Sequence, residues 1–348
     1  MEVGRFAALP AELCIYAFPR WKWPVVRQCF VGHTLYFIQA GAPVPPAGGV
    51  VLWGRAPLPS GVQEGRVVLR MEDGFLRSVG LGAELVRPMS WVVDTRGMYY
   101  DTTQPSDLEV ILAGQDFSTS LVARAQALRQ RIVQAGLTKY NLGAQPWARP
   151  AHARRVILVP GQVESDASIA FGATDLQHNM ALLRAVRKAN PEAYVLYKSH
   201  PDVVARLRKL GQDEGHAQRW CDEVVAGVGM ETLLDAVDEV HVLTSLAGFE
   251  ALLRGKAVTC YGQPFYAGWG LTHDIVPHLR RTRRLQLDEL VAGVLLLYPL
   301  YLSRANKRLV TPEQALDELL AWKARVAGKT PWWQEIYRFF LRRFIGVR

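Results

Sequence analysis

The stretch His241–Thr272, HVLTSLAGFEALLRGKAVTCYGQPFYAGWGLT, decides the reading of the fold. Its first residues close the apolar run Glu239–Leu243, a short strand that runs straight into Thr244 and Ser245. Gly248–Leu253 has helical spacing and stops at Gly255, a C-cap signal. A second strand over Ala257–Tyr261 completes a βαβ unit. In such a unit the helix N-terminus lies at the carboxyl edge of the sheet, where free N–H groups favour an anion. Thr244 and Ser245 add hydroxyls there, and Glu250, between one and two turns on, is placed to accept hydrogen bonds from vicinal sugar hydroxyls. The same pattern also fits an ordinary βαβ unit with a Ser/Thr N-cap. The following loop, Gly262–Thr272, combines glycines and a proline with three aromatics. Glycine admits close backbone approach to a ligand, and aromatic faces suit a base or a sugar ring.

Working outward, 348 residues allow one large or two medium domains. Apolar content of 49% and charged content of 21% describe a soluble globular chain. No apolar run reaches the roughly 18 residues that would span a bilayer. The N-terminus carries Glu2 and Arg5 without a signal-peptide core, which places the expected location in the cytoplasm. Cys14, Cys29, Cys221 and Cys260 are far apart and lack CxxC spacing, so buried free thiols are expected, not disulfides or zinc. A net charge of +9 suggests anionic partners, with nucleic acid, a nucleotide-sugar or an anionic lipid all fitting.

From the N-terminus, residues 12–18, 34–39, 50–53, 66–71 and 90–94 read as strands, with a helix near 25–30. The strand at 66–71 delivers Glu72, Asp73 and Gly74 to a sheet edge, a pattern that equally serves a turn. Residues 107–135 read as one helix, and Tyr140–Arg149, with Asn, Gly, Pro and Trp, as an interdomain linker. The alternation then restarts. Arg155–Val159 is a strand ending in PGQVESDAS, two acids and two hydroxyls beyond a glycine turn. Asn179–Asn190 is a helix stopped by Pro191. The strand Ala193–Tyr197 ends in Lys198-Ser199-His200-Pro201, a cation and an imidazole before a proline that opens a helix. Thr232–Ala236 and Thr311–Val326 are further helices. Two successive β/α halves and a helical tail suggest a GT-B glycosyltransferase. Residues 1–145 would form an N-terminal Rossmann-like acceptor domain, 150–305 a C-terminal Rossmann-like donor domain, and 306–348 C-terminal helices.

Five segments sharpen this: EDGFLRSVGLG (72–82), DTRGMYYDTTQPSDLE (94–109), PGQVESDAS (160–168), YKSHPD (197–202) and TSLAGFEALLRGKAVTCYGQPFYAGWGLT (244–272). In this order they closely resemble the capsular polysaccharide β-Kdo glycosyltransferases of the KpsC type, over residues 12 to 300. Members of that family often carry two transferase modules in tandem. The single module here, opening IYAFPRWKWPVVR, resembles the second. Ser165 departs from the pattern, which expects an acid there.

The resemblance implies transfer of Kdo, an acidic eight-carbon keto-sugar, from CMP-Kdo with retention of the β configuration. The acceptor would be a Kdo-terminated glycan on lyso-phosphatidylglycerol. Retention by double displacement needs a carboxylate nucleophile and a group that activates the acceptor hydroxyl. By match to the family's motifs these are Asp166 and Glu72, with His200 assisting departure of CMP. The donor-binding set is Lys198, Ser245, Glu250, Gln162, Thr244, Gly248, Gly268 and Trp269. No cofactor or metal is expected, because CMP leaves with a single phosphate. Readings from other classes are a non-catalytic binding module of a tandem transferase and another nucleotide-sugar enzyme such as an epimerase; the lack of an N-terminal GxGxxG opposes a dinucleotide dehydrogenase. From residue 323 onward seven basic residues stand against one acid, interleaved with Trp332, Trp333, Tyr337, Phe339, Phe340 and Phe344. That pattern fits a helix at an anionic membrane surface and equally a tail packed on the first domain.

Overall fold

The computed structural model describes residues 8–76, 78, 88–141 and 145–326. Two sheets dominate it. The first contains β1 (Glu12–Tyr16), β2 (Thr34–Ile38), β3 (Gly49–Trp53), β4 (Val68–Asp73) and β5 (Ser90–Asp94), extended late in the chain by β12 (Pro299–Leu302) and β13 (Leu309–Val310). Its order is β13-β12-β5-β4-β3-β1-β2. The pairs among β1 to β4 are parallel, while β5, β12 and β13 join antiparallel. The second sheet is wholly parallel: β6 (Val156–Pro160), β7 (Tyr194–Lys198), β8 (Glu223–Val225), β9 (Glu239–Val242), β10 (Ala257–Cys260) and β11 (His273–Asp274), in the order β11-β10-β9-β6-β7-β8. Its central strand β6, VILVP, is buried at every position. A continuous apolar run is what a parallel strand covered on both faces requires.

Helix α1 (Trp23–Cys29) covers one face of the first sheet through Val25 and Val26 against Leu13, Ile15, Val51 and Leu69. On the second sheet, α4 (Ala167–Gly172) and α5 (Asn179–Ala189) cover one face. In α5 the buried residues Met180, Leu182, Leu183 and Val186 form the apolar stripe of a one-sided helix. The remaining faces share a single core. Met89, Val92 and Met98 of the first half join Val156, Leu158, Leu196 and Val240 of the second through the helices between them. The expected helix over 107–135 is two helices, α2 (Asp107–Gly114) and α3 (Thr119–Gln134), because Ser118 caps a new start by accepting from the N–H of Leu121.

The segment Tyr140–Arg149 is not a loose connector where it is described. Gln145 bridges to Val228, Trp147 donates its indole N–H to Glu223, and Arg149 pairs with Asp238. After the second sheet, α9 (Leu287–Val291) and a π-helical turn at Ala292–Leu297 lead back to β12. The return therefore falls before residue 305, the boundary expected from sequence, since β12 already pairs with β5. Helix α10 (Pro312–Val326) then lies along α3, with the pairs Arg124–Glu313 and Arg131–Asp317. Residues 327–348, on which the membrane-helix expectation falls, lie outside the described residues. Among the described residues no helix is long and apolar enough to cross a membrane.

The four cysteines are buried free thiols.

Candidate active site

A cavity of about 380 Å³ opens between the carboxyl ends of the two sheets. Its first-half wall is built by Glu72 and Asp73 at the end of β4, Trp53 at the end of β3, Trp21 and Lys22 before α1, and Tyr99 and Tyr100. Its second-half wall is built from the loops after β6, β7 and β9, with Gln162, Asp166, His200, Thr244 and Ser245. A smaller recess of about 110 Å³ adjoins it, lined by Lys198, His200, Ser245, Ala247 and Glu250 together with Lys139 and Tyr140. His200 and Ser245 line both. Strand ends facing a crevice are where open α/β sheets bind ligands.

Glu72 and Asp166 therefore come to one space from opposite sheets. Glu72 Oε1 accepts the backbone N–H of Asp73 at 3.0 Å. Behind it Gly54 stands at φ +49, and a Cβ there would sit 2.8 Å from Tyr100 Oη and 3.0 Å from Glu72 Oε2. A side chain at residue 54 would thus displace the carboxylate. Burial, and then the charge of Glu72, push the Tyr100 hydroxyl well above the ordinary tyrosine range, so it stays a proton-bearing donor beside that carboxylate. Asp166 occupies the N-cap position of α4 yet makes no side-chain capping bond, and the residue is exposed. It is a carboxylate presented to the cavity, not one used up on the helix end.

His200 caps α6 (Pro201–Val204), its Nδ1 accepting the N–H of Asp202 at 3.2 Å. In the neutral ring this puts the proton on Nε2. Tyr140 packs edge-on against it, with ring centroids 5.9 Å apart. Lys198 is buried, and its Nζ donates to the carbonyl of Val228 at 2.6 Å. Two of its three protons remain for other acceptors. Burial holds its ammonium below the usual lysine range.

Gln162 and Thr244 lock the loops after β6 and β9 together. The Gln162 side chain donates to Thr244 Oγ1 at 3.1 Å and accepts the Thr244 N–H at 3.0 Å, while Gln162 N–H donates to Asn179. Ser245 caps α8 (Leu246–Leu253) by accepting from Ala247 N–H. Glu250, buried but lining the recess, accepts the Lys139 N–H on Oε1 and is pushed by burial to a pKa of about 7. Its expected neighbours, Lys198 and Ser245, do share its recess.

Three expected ligand residues lie elsewhere. Gly248 is under Tyr266, whose hydroxyl would meet a Cβ at 2.2 Å, so it is a glycine because the helix and that ring are packed together. Trp269 is fully buried and donates its indole N–H to Phe265 O. Gly268 N–H donates to Asp274. Pro264 and Phe265 of the aromatic loop line the cavity, while its remainder, with Tyr266 and Trp269 fully buried, is a joint between the halves. Phe265 packs on Phe75 at 4.5 Å and on Tyr99 at 5.6 Å, and Arg281 reaches the carbonyls of Pro264 and Ala267 while its Nε pairs with Glu109. Burial works to raise the Glu109 carboxyl, but Arg280 and Arg281 outweigh it and hold it below the usual range. Tyr99 and Tyr100 carried a signal, lying in the segment 94–109 singled out above. Trp21 and Lys22 lie in the quoted opening IYAFPRWKWPVVR, which gave them no site role, and Trp53, Lys139 and Tyr140 carried no site signal beyond their aromatic or basic character.

A cleft between two sheets, with carboxylates on both walls and cations and capped helix starts at one end, defines a site for an anionic, hydroxyl-rich ligand. Comparison with known proteins agrees with that class. A family model described as capsule polysaccharide biosynthesis protein matches residues 61–147 and 129–304. The capsule polysaccharide modification protein LipA of Neisseria meningitidis serogroup A is 47% identical over 258 residues, 74% of this chain and 36% of LipA. The lipopolysaccharide-processing protein LpsZ of Rhizobium meliloti is 45% identical over 259 residues, 72% of this chain and 59% of LpsZ. The chain thus spans between about a third and three fifths of these relatives' length. Among solved structures, Thermosulfurimonas dismutans KpsC β-Kdo 2,7 transferase aligns with a TM-score of 0.73 at 38% identity, over 90% of this chain and 99% of that one. The β-Kdo 2,4 transferase of the same organism aligns with a TM-score of 0.75 at 33% identity, over 88% and 97%. The chain belongs to the capsule polysaccharide biosynthesis protein family, as a relative of the KpsC type.

Proposed function

We propose that the chain is a retaining β-Kdo transferase module in a GT-B arrangement, moving Kdo from CMP-Kdo to a Kdo-terminated acceptor in capsule linker synthesis. The observation that carries this is the delivery of Asp166 and Glu72 by opposite sheets into one cavity. Binding alone gives little use for two carboxylates facing an acidic sugar.

In the first step the Asp166 carboxylate attacks C2 of Kdo. The C2–O bond to phosphate breaks and CMP departs with that electron pair. Lys198 and the Nε2–H of His200 receive the developing phosphate charge, and Glu250 holds the ribose hydroxyls. In the second step the acceptor hydroxyl attacks C2, Glu72 takes its proton, and Asp166 is released as carboxylate. Two inversions give net retention. Of the two solved structures described above, the 2,7 transferase has the higher identity, 38% against 33%, and we assign that linkage. With an acceptor carried on a lysophospholipid, the module works at an anionic membrane surface.

Incubation with CMP-Kdo and a Kdo-terminated acceptor, in buffer containing a chelator, tests this. CMP release matched by a β-linked Kdo product is expected. Binding of CMP-Kdo without release identifies a non-catalytic module, and conversion of the sugar without transfer identifies another nucleotide-sugar enzyme. Either outcome overturns the proposal.

A further inference from the structure

We propose that Lys22, set among Trp21 and Trp53, recognises the carboxylate of the acceptor sugar and so selects an acidic acceptor. This rests on the transferase reading above and names a residue that the motifs left without a role.

Lys22 ends a 3-10 turn (Arg20–Lys22) that leads into α1, and it is only 7% exposed. Its Nζ lies over the ring of Trp53, 5.0 Å from the centroid of Trp21 and 5.8 Å from that of Trp91. Trp21, Lys22 and Trp53 all line the large cavity. Trp53 ends β3 directly beside β4, pairing in register with Met71, the residue before Glu72. The three side chains therefore line the same cavity as the carboxylate assigned to the acceptor hydroxyl, with Trp53 on the α1 face of the sheet.

Charge explains why a cation belongs there. The acceptor must present a hydroxyl to Glu72, and a Kdo terminus brings a carboxylate with it. On the wall built from the first sheet and α1, Glu72 and Asp73 are the cavity-lining anions and Lys22 is the cavity-lining cation. Without Lys22 that wall would repel a sugar acid. In a partly desolvated pocket a single charge pair acts more strongly than at an open surface. The indole faces supply apolar surface for the C–H face of a sugar ring, as aromatic residues commonly do. Lys198 lines the smaller recess, Lys139 and His200 line both spaces, and Arg208 lines the large cavity from beyond α6, so Lys22 is the cation on the side of the first sheet.

The test compares a Kdo-terminated acceptor with its carboxyl methyl ester, on the intact chain. For the unaltered protein, esterification should raise the acceptor KM about tenfold. In Lys22→Met the acid acceptor should lose that advantage, acid and ester becoming equal, while Lys22→Arg keeps part of it. Equal losses for acid and ester in Lys22→Met, or no preference in the unaltered protein, overturn the proposal. A second measurement reads the subsite without turnover: tryptophan fluorescence titrated with the methyl glycoside of Kdo. A saturable change that is lost in Lys22→Met and absent with the ester supports the subsite even if CMP-Kdo is not cleaved. A titration indifferent to both changes rejects it.

Discussion

The two walls of the cavity are held in different ways. On the second-half wall Gln162 is fixed by Thr244 and Asn179, Lys198 by Val228 O and Glu250 by Lys139 N–H, while Asp166 stays exposed. On the first-half wall Glu72 sits at a strand end among Trp21, Trp53, Tyr99 and Tyr100, with its room secured by the absent side chain of Gly54. A wall locked by reciprocal hydrogen bonds suits a ligand of fixed shape, such as a nucleotide. Aromatic faces around the carboxylates of Glu72 and Asp73 suit a sugar terminus whose remainder varies.

This contrast predicts that variants on the two walls fail differently. The largest effect is expected for Glu72→Gln. Transfer to the acceptor should fall by about 10²–10⁴, the usual worth of a general base. Cleavage of CMP-Kdo should continue, because CMP is a good leaving group. If transfer persists and Asp73→Asn loses it, the base is the neighbouring residue.

Next comes the joint between the walls. Arg281→Met leaves the buried Glu109 with Arg280 alone and strips the carbonyls of Pro264 and Ala267. Breaking such a buried pair costs about 3–5 kcal/mol. Denaturant unfolding should report that loss as a lower midpoint. A change within 1 kcal/mol, on the scale of exposed pairs such as Arg124–Glu313, would show that the joint adds nothing.

The smallest effect is a pH dependence on the donor wall. Burial raises Glu250 to about 7, so its carboxylate forms as the pH rises through neutrality. Between the unfolded value near 4.5 and the folded value near 7 the native state holds more protons than the unfolded one. This group's contribution to stability therefore falls as pH rises across that window. Affinity for CMP should move the opposite way, strengthening by up to about tenfold from pH 6 to 8 as the acceptor for ribose hydroxyls ionises. Glu250→Gln should flatten both trends. An unchanged CMP profile in that variant would take Glu250 out of the nucleotide site.

The second-half wall was also the more legible in sequence. Lys198, His200, Thr244 and Ser245 each follow an apolar run that could only be a buried strand, so their place at a sheet edge was readable from the pattern. Trp269 misled because sequence cannot distinguish an aromatic that faces a ligand from one that fills a joint. The run from Val276 to Leu302 went unread: its arginines interrupt any period, and α9, the π-helical turn and β12 depend on contacts with α3 and β5. The arginines themselves look like a basic surface. In the structure Arg280, Arg281 and Arg283 bind Glu109 and backbone carbonyls, so part of the net positive charge is engaged in holding the halves together. Lys22 stayed hidden for a similar reason, since its neighbours Trp53 and Trp91 are distant in sequence.

The most direct measurement is intact-protein and peptide mass spectrometry of the Glu72→Gln protein incubated with CMP-Kdo in the absence of acceptor. The account predicts a single Kdo adduct on the peptide containing Asp166, lost in the double variant that also carries Asp166→Asn. An adduct on another residue, or full transfer by an Asp166→Asn protein, would contradict it.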